Sequence, residues 1–180
     1  MPSPADAERW ATQLAASHGV ELAGITWAAG TGGAARMADA GAELVLAPEI
    51  LVDVATMRFH VAHEVGHVVL GHARGRRQQL RAAAPYLAAG GAVELAAIVG
   101  AAFWRWSIVV LPIAFVITLA VLARRVVLPQ ERAADAFAAA NRAPAWLASP
   151  PAKARLMARL IKTHPTWAER SACGQRSAVE

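Results

Sequence analysis

The run His63-Glu64-Val65-Gly66-His67 sets two imidazoles and a carboxylate at a spacing suited to metal-assisted hydrolysis. On a helix, positions four apart share one face with Cβ atoms about 5–6 Å apart, so both rings reach one tetrahedral zinc ion through bonds of roughly 2.0–2.1 Å. Glu64 then stands beside the position left for water. Zinc lowers the pKa of such a water to about 7, and a neighbouring carboxylate can take its proton as it attacks a peptide carbonyl. Alone, the pattern also describes a helix whose histidines pair with backbone or carboxylate groups. Its flanks, Val61, Ala62, Val65, Val68, Val69 and Leu70, make the helix nearly all apolar, so three buried polar side chains need a shared reason to be there.

Two imidazoles hold a metal weakly, so a third ligand is required. Glu131 is a candidate, with Asp135 four residues later on the same helical face. Glu131 would close the coordination, and Asp135 would accept the second ring N–H of a ligand histidine and fix its tautomer. A solvated acidic face on an alanine-rich helix explains the same pair, and the spacing leaves both readings open. His60 and His72, which flank the motif, read as structural interface or cap residues, and His18 before Gly19 reads as a helix terminus.

The elements that must position these groups follow from pattern. Residues 4–18 read as a helix, 20–28 as a strand, 30–33 as a glycine-rich turn, and 35–38 with 43–47 as a hairpin around Asp39-Ala40-Gly41. Pro48 opens a helical region that breaks near Asp53 and stops at Gly71. From Pro85 to Leu128 the only charges before Arg124 are Glu94 and Arg105. At about 1.5 Å per residue, 85–104 and 107–124 span roughly 30 and 27 Å, close to the bilayer core, and predict a membrane hairpin with Trp104, Arg105 and Trp106 at its tip. One buried helix followed by one span is the rival. Ligands on both sides of the region favour the hairpin, because only an even number of crossings reunites them. Glu94 is either a contact or cavity residue or a sign that the span is shifted. Pro129 starts the helix of Glu131, Pro144 ends it, residues 152–162 form another, and Thr166 with Glu169 suit a capping box for the last.

With 180 residues the chain is one catalytic unit. Its 56% hydrophobic content is inflated by alanine, so distribution decides more than the mean hydropathy of +0.35. The net charge of +5 comes mostly from arginines, and those at 74, 76, 77, 81, 124 and 125 bracket the apolar region, which favours a lipid surface over nucleic acid. Cys173 is the sole cysteine, which excludes an intramolecular disulfide and a thiolate cluster. The start, with Asp6 and Glu8, is unlike a secretory signal, so the expected location is the cell membrane with the site facing the cytoplasm.

Three motifs in this order resemble the membrane zinc metallopeptidases that include the heat-shock protease HtpX and the CAAX prenyl proteases: H-E-V-G-H-V-V-L-G-H at 63–72, E-R-A-A-D at 131–135 and T-H-P-T-W-A-E-R at 163–170. The resemblance covers roughly residues 35–170. It implies an α+β, gluzincin-like domain, mostly helical with a small N-terminal sheet, interrupted by the hairpin. It further implies one zinc ion on His63, His67 and Glu131, with Glu64 as general base and Asp135 behind a ligand. By the same likeness His164 helps stabilise the oxyanion and Arg170 braces the site. HtpX-like enzymes usually carry two further membrane helices at the start, where this chain has a short polar segment.

The expected organisation is 1–84 for the first part of the peptidase domain, 85–128 for the hairpin, 129–170 for the second part and 171–180 for a frayed tail. The expected activity is endoproteolysis of a peptide or protein substrate, in membrane protein quality control, with the lipid bilayer and a homo-oligomer or membrane protein as partners and no nucleic acid. The 43–47 strand is expected to bind extended substrate at its edge. Rival readings are a BlaR-type signalling peptidase acting on a repressor, and a catalytically weak membrane scaffold that keeps a metal site.

Overall fold

The computed structural model describes residues 1–29, 33–73, 76–101, 107–148 and 165–170. They fall into two compact units, one drawn from 1–75, 130–153 and 165–180, the other from 76–129 and 154–164.

In the first unit, helix α1 (Pro4–Ser17) begins with a reciprocal cap: the Ser3 hydroxyl accepts from the Asp6 N–H, and the Asp6 carboxylate accepts from the Ser3 N–H. Its buried stripe is Ala7, Ala11, Leu14 and Ala15, small enough at three positions to lie close against helix α2 (Val54–Val69). Strands β1 (Leu22–Trp27), β2 (Gly33–Ala38) and β3 (Gly41–Leu46) form one sheet in the order β1-β3-β2. The β2–β3 hairpin is antiparallel, closing from Ala38↔Gly41 to Gly33↔Leu46, and Gly41 takes the φ of +128° that its tight turn demands. Along β3, Ala42, Leu44 and Leu46 alternate inward.

The pairing corrects the expectation that residues 43–47 offer an edge. Strand β1 lies parallel along the other side of β3, so β3 is central and the open edge next to the hairpin belongs to β2. Residues 30–32 of the glycine-rich turn lie outside the described residues, and Gly33 is already strand. A short 3-10 turn (Pro48–Val52) leads to Asp53, whose carboxylate accepts from the Thr56 N–H at 2.7 Å and its hydroxyl at 2.8 Å and so starts α2. Gly71, with φ +69°, follows its end. Both the break and the stop fall where the sequence placed them.

In the second unit, helix α3 (Arg76–Ala101) runs through Pro85 instead of starting there, carried by the alanines that precede it. Helix α4 is Ser107–Leu122. The two pack together with Gly90 so close to Thr118 that a β-carbon at 90 would overlap its side chain. Leu95, Ile98, Val99, Phe115, Val116 and Ile117 are all exposed. Arg81–Gly100 and Pro112–Ala140 are long and apolar enough, by length and composition, to cross a membrane. Glu94 is partly buried, while Trp104, Arg105 and Trp106 lie outside the described residues.

Helix α5 (Leu128–Ala140) carries Pro129 in its first turn, as expected, but no loop precedes it. A wide turn, Ala123–Val127, leads straight in, with the Leu128 N–H bonded five residues back to Ala123. The wider winding fits a proline that has no N–H of its own to give. The expected helix at 152–162 and the tail at 171–180 also lie outside the described residues.

Candidate metal centre

Helices α2 and α5 approach at a glycine. A β-carbon on Gly66 would sit 3.0 Å from Cδ1 of Phe137, so the middle of the H-E-V-G-H run must be this small for α5 to lie against it. That approach brings the Glu131–Asp135 face onto the histidines.

The donor atoms then converge. His63 Nε2 and His67 Nε2 are 3.1 Å apart, and the Glu131 carboxylate lies 3.4 Å from each, through Oε2 to His63 and Oε1 to His67. Tetrahedral bonds of about 2.0–2.1 Å place neighbouring donors roughly 3.3–3.4 Å apart, close to the spacing between each ring nitrogen and its facing carboxylate oxygen. His63, His67 and Glu131 could therefore hold one ion. Behind them, His63 Nδ1 lies 2.9 Å from Asp135 Oδ1. A carboxylate only accepts, so Nδ1 donates its proton to Asp135, and Nε2, which faces the cluster, offers a lone pair once its own proton is lost.

Arg170 faces the same acids, with Nη2 3.1 Å from Glu131 Oε2 and Nη1 3.4 Å from Asp135 Oδ1. Its backbone is set by the cap the sequence indicated: the Thr166 N–H donates to Glu169 at 2.9 Å and the Glu169 N–H to the Thr166 hydroxyl at 3.3 Å. Wholly buried Phe59 supports the arrangement, its ring 5.9 Å from that of His63, 5.6 Å from Trp167 and 5.6 Å below the Arg170 guanidinium.

The electrostatics suit a cation. Burial works against a charged His63, yet hydrogen bonds to Asp135 and Glu131, with the Glu64 charge, raise its pKa to about 9. Glu64 is only 6% exposed, and burial pushes its carboxyl up. His60, one turn before His63, is pushed down to about 4 by burial and then by the charges of His63 and Arg170.

The structure thus gathers His63, Glu64, His67, Glu131, Asp135 and Arg170, while His164 lies outside the described residues. His72 is in ring contact with His67 at 5.5 Å just past the end of α2, and its N–H donates to the His67 carbonyl. His18 closes α1 and pairs with Asn141 at 3.1 Å. Sequence reasoning missed Gly33, which abuts Glu64, and Phe59, which underlies both His63 and Arg170. The only signal for Phe59 was its place one helical turn before His63.

Among known proteins, the description of peptidase family M48 matches residues 36–173. No curated relative and no solved structure gives a significant match. The matched segment contains every residue of the cluster; α1 and β1 precede it.

Proposed function

The chain belongs to peptidase family M48, a family of metallopeptidases, and from that premise we propose that it is a membrane-anchored zinc endopeptidase of the HtpX-like kind. The observation that carries the reading is the convergence of His63 Nε2, His67 Nε2 and the Glu131 carboxylate: the ring nitrogens are 3.1 Å apart, with Oε2 3.4 Å from His63 and Oε1 3.4 Å from His67. These three side chains would hold zinc, which when bound supplies the Lewis acidity for peptide hydrolysis near neutral pH. The protein's own groups do the rest.

Asp135 holds the His63 tautomer through Nδ1. Arg170 offsets the charge of the two acids and keeps the Glu131 carboxylate oriented toward both rings. Glu64 takes a proton from the attacking water and passes it to the leaving amine. A carboxyl raised by burial is suited to both transfers, because its affinity for the proton is closer to neutrality than that of a solvated acid. His164 keeps the oxyanion role that the family resemblance implies. Extended substrate adds to the open edge of β2, whose first residue touches Glu64. Lipid covers the exposed apolar side chains of α3 and α4, and the arginines at 81, 124 and 125 hold the catalytic side in the cytoplasm.

Zinc analysis of the purified chain, alongside cleavage of casein or a membrane protein by wild type and Glu64→Gln, tests the proposal. Wild type is expected to carry zinc and cleave, and Glu64→Gln to carry zinc without cleaving. Equal cleavage by both removes Glu64 as the base.

A further inference from the structure

Gly33 opens β2 at the end of the sheet, paired with Leu46, and faces the buried carboxylate of Glu64. A β-carbon built there would lie 2.7 Å from Glu64 Cγ and 3.0 Å from both Cδ and Oε1. All three atoms belong to one side chain; no other group crowds the position as closely. The backbone φ at Gly33 is not positive, unlike Gly19, Gly41 and Gly71, so any residue could adopt it. Glycine is required there for space. The space is filled by the carboxylate of Glu64.

Position 33 also lies on the strand with the open edge. On its inner face β2 carries Gly33, Ala35 and Met37, opposite Leu46, Leu44 and Ala42, so Gly33 is where that edge meets the catalytic helix. Burial leaves Glu64 few alternatives: it is 6% exposed, on a helix whose neighbours Val61, Ala62 and Val65 are fully buried. A side chain displaced from this slot must take another rotamer or push the strand away.

We propose that Gly33 is a positioning residue for the reaction: its missing side chain is the slot that seats the Glu64 carboxylate at the start of the substrate-binding edge. The proposal rests on Glu64 being the general base, and its test separates the two ideas. Gly33→Ala, made in the full-length chain, is expected to lower kcat by about 10- to 100-fold, the usual cost of misplacing a reacting group by an ångström, while KM and zinc content stay near wild type. Ala23→Ser, at an exposed position of β1 on the far edge of the sheet, should leave both kinetic constants unchanged. A rise in KM together with a fall in kcat in both variants would show a disturbed sheet and overturn the proposal.

A thermal cycle decides the packing independently of catalysis. If the added methyl collides with Glu64 alone, Gly33→Ala lowers the thermal midpoint by about 4–8 °C in the wild-type background and by nearly nothing in Glu64→Ala, where the obstacle has been removed. Equal losses in the two backgrounds, or a Gly33→Ala chain that fails to fold in both, would overturn the slot. Loss of the Glu64→Gln defect with the thermal cycle intact would instead remove the general-base assignment and leave the packing standing.

Discussion

The α2–α5 pair and the α3–α4 pair invert the ordinary partition of residues in opposite ways. In the first, His63, Glu64, Glu131 and Asp135 are buried among apolar neighbours at 4, 6, 7 and 9% exposure. In the second, Val93, Leu95, Ile98 and Val99 on one helix and Ile113, Phe115, Val116 and Ile117 on the other stand open at half or more of their surface. Charged groups inside and aliphatic groups outside are both costly in a water-soluble globule. Under the proposed function the two regions suit different surroundings, a cation in one and hydrocarbon in the other. Their contacts reflect this: α2 and α5 meet where Gly66 admits Phe137, with polar groups converging beside it, while α3 and α4 meet where Gly90 admits Thr118.

The comparison is broken most easily at the chemical end. Glu64→Gln is expected to reduce kcat by roughly 10²- to 10⁴-fold with zinc retained, measured by cleavage rate and metal content on the same sample. Asp135→Asn should keep the fold and weaken zinc binding by about 10- to 100-fold in a competition titration, because the partner that holds the His63 tautomer loses its charge. A full-affinity Asp135→Asn would show that the tautomer is fixed elsewhere.

Protonation gives the next effect. His63 in the fold keeps its proton up to about 9, against 6.5 for a free side chain. With metal removed, the stability this provides is complete below pH 6.5 and lost as pH rises through 9; the raised Glu64 pKa adds a decline in the same direction. Zinc must displace that proton, so its affinity should climb over the same interval. Thermal melts of the chelated protein at pH 6, 7.5 and 9 check the sign; a midpoint that rises with pH contradicts it.

The smallest effect on the site should come from the other region. Gly90→Leu is expected to disturb α3–α4 packing, read as altered protease sensitivity in vesicles, with zinc content unchanged. A cysteine introduced at position 105 should be labelled from outside the cell, and labelling only from the cytoplasmic side rejects the hairpin.

Much of the catalytic half was legible because its signals are local. The i, i+4 histidines, the Asp53 cap, the Gly71 stop and the Thr166–Glu169 cap each need only a few adjacent residues. Glu131 was legible as a candidate but not as a decision, since spacing alone also fits a solvated face; what distinguishes the two is a contact 64 to 68 positions away along the chain, between Glu131 and His67 or His63. Strand order was illegible for a related reason. The patterns of β1 and β3 fit a sheet whichever of them is central, and only the parallel β1–β3 pairing moves the open edge to β2. Prolines misled at Pro85, where the helix simply continues. Gly33 was hidden because a glycine-rich turn already accounted for it, whereas its actual constraint is a side chain from α2.

At the centre of the proposed function, His63, His67 and Glu131 share one ion. Zinc stoichiometry of the purified chain, compared with Glu131→Ala after dialysis against a weak chelator, tests it most directly. The account predicts about one zinc per chain in wild type and its loss from the variant. Zinc held equally tightly by Glu131→Ala would contradict it.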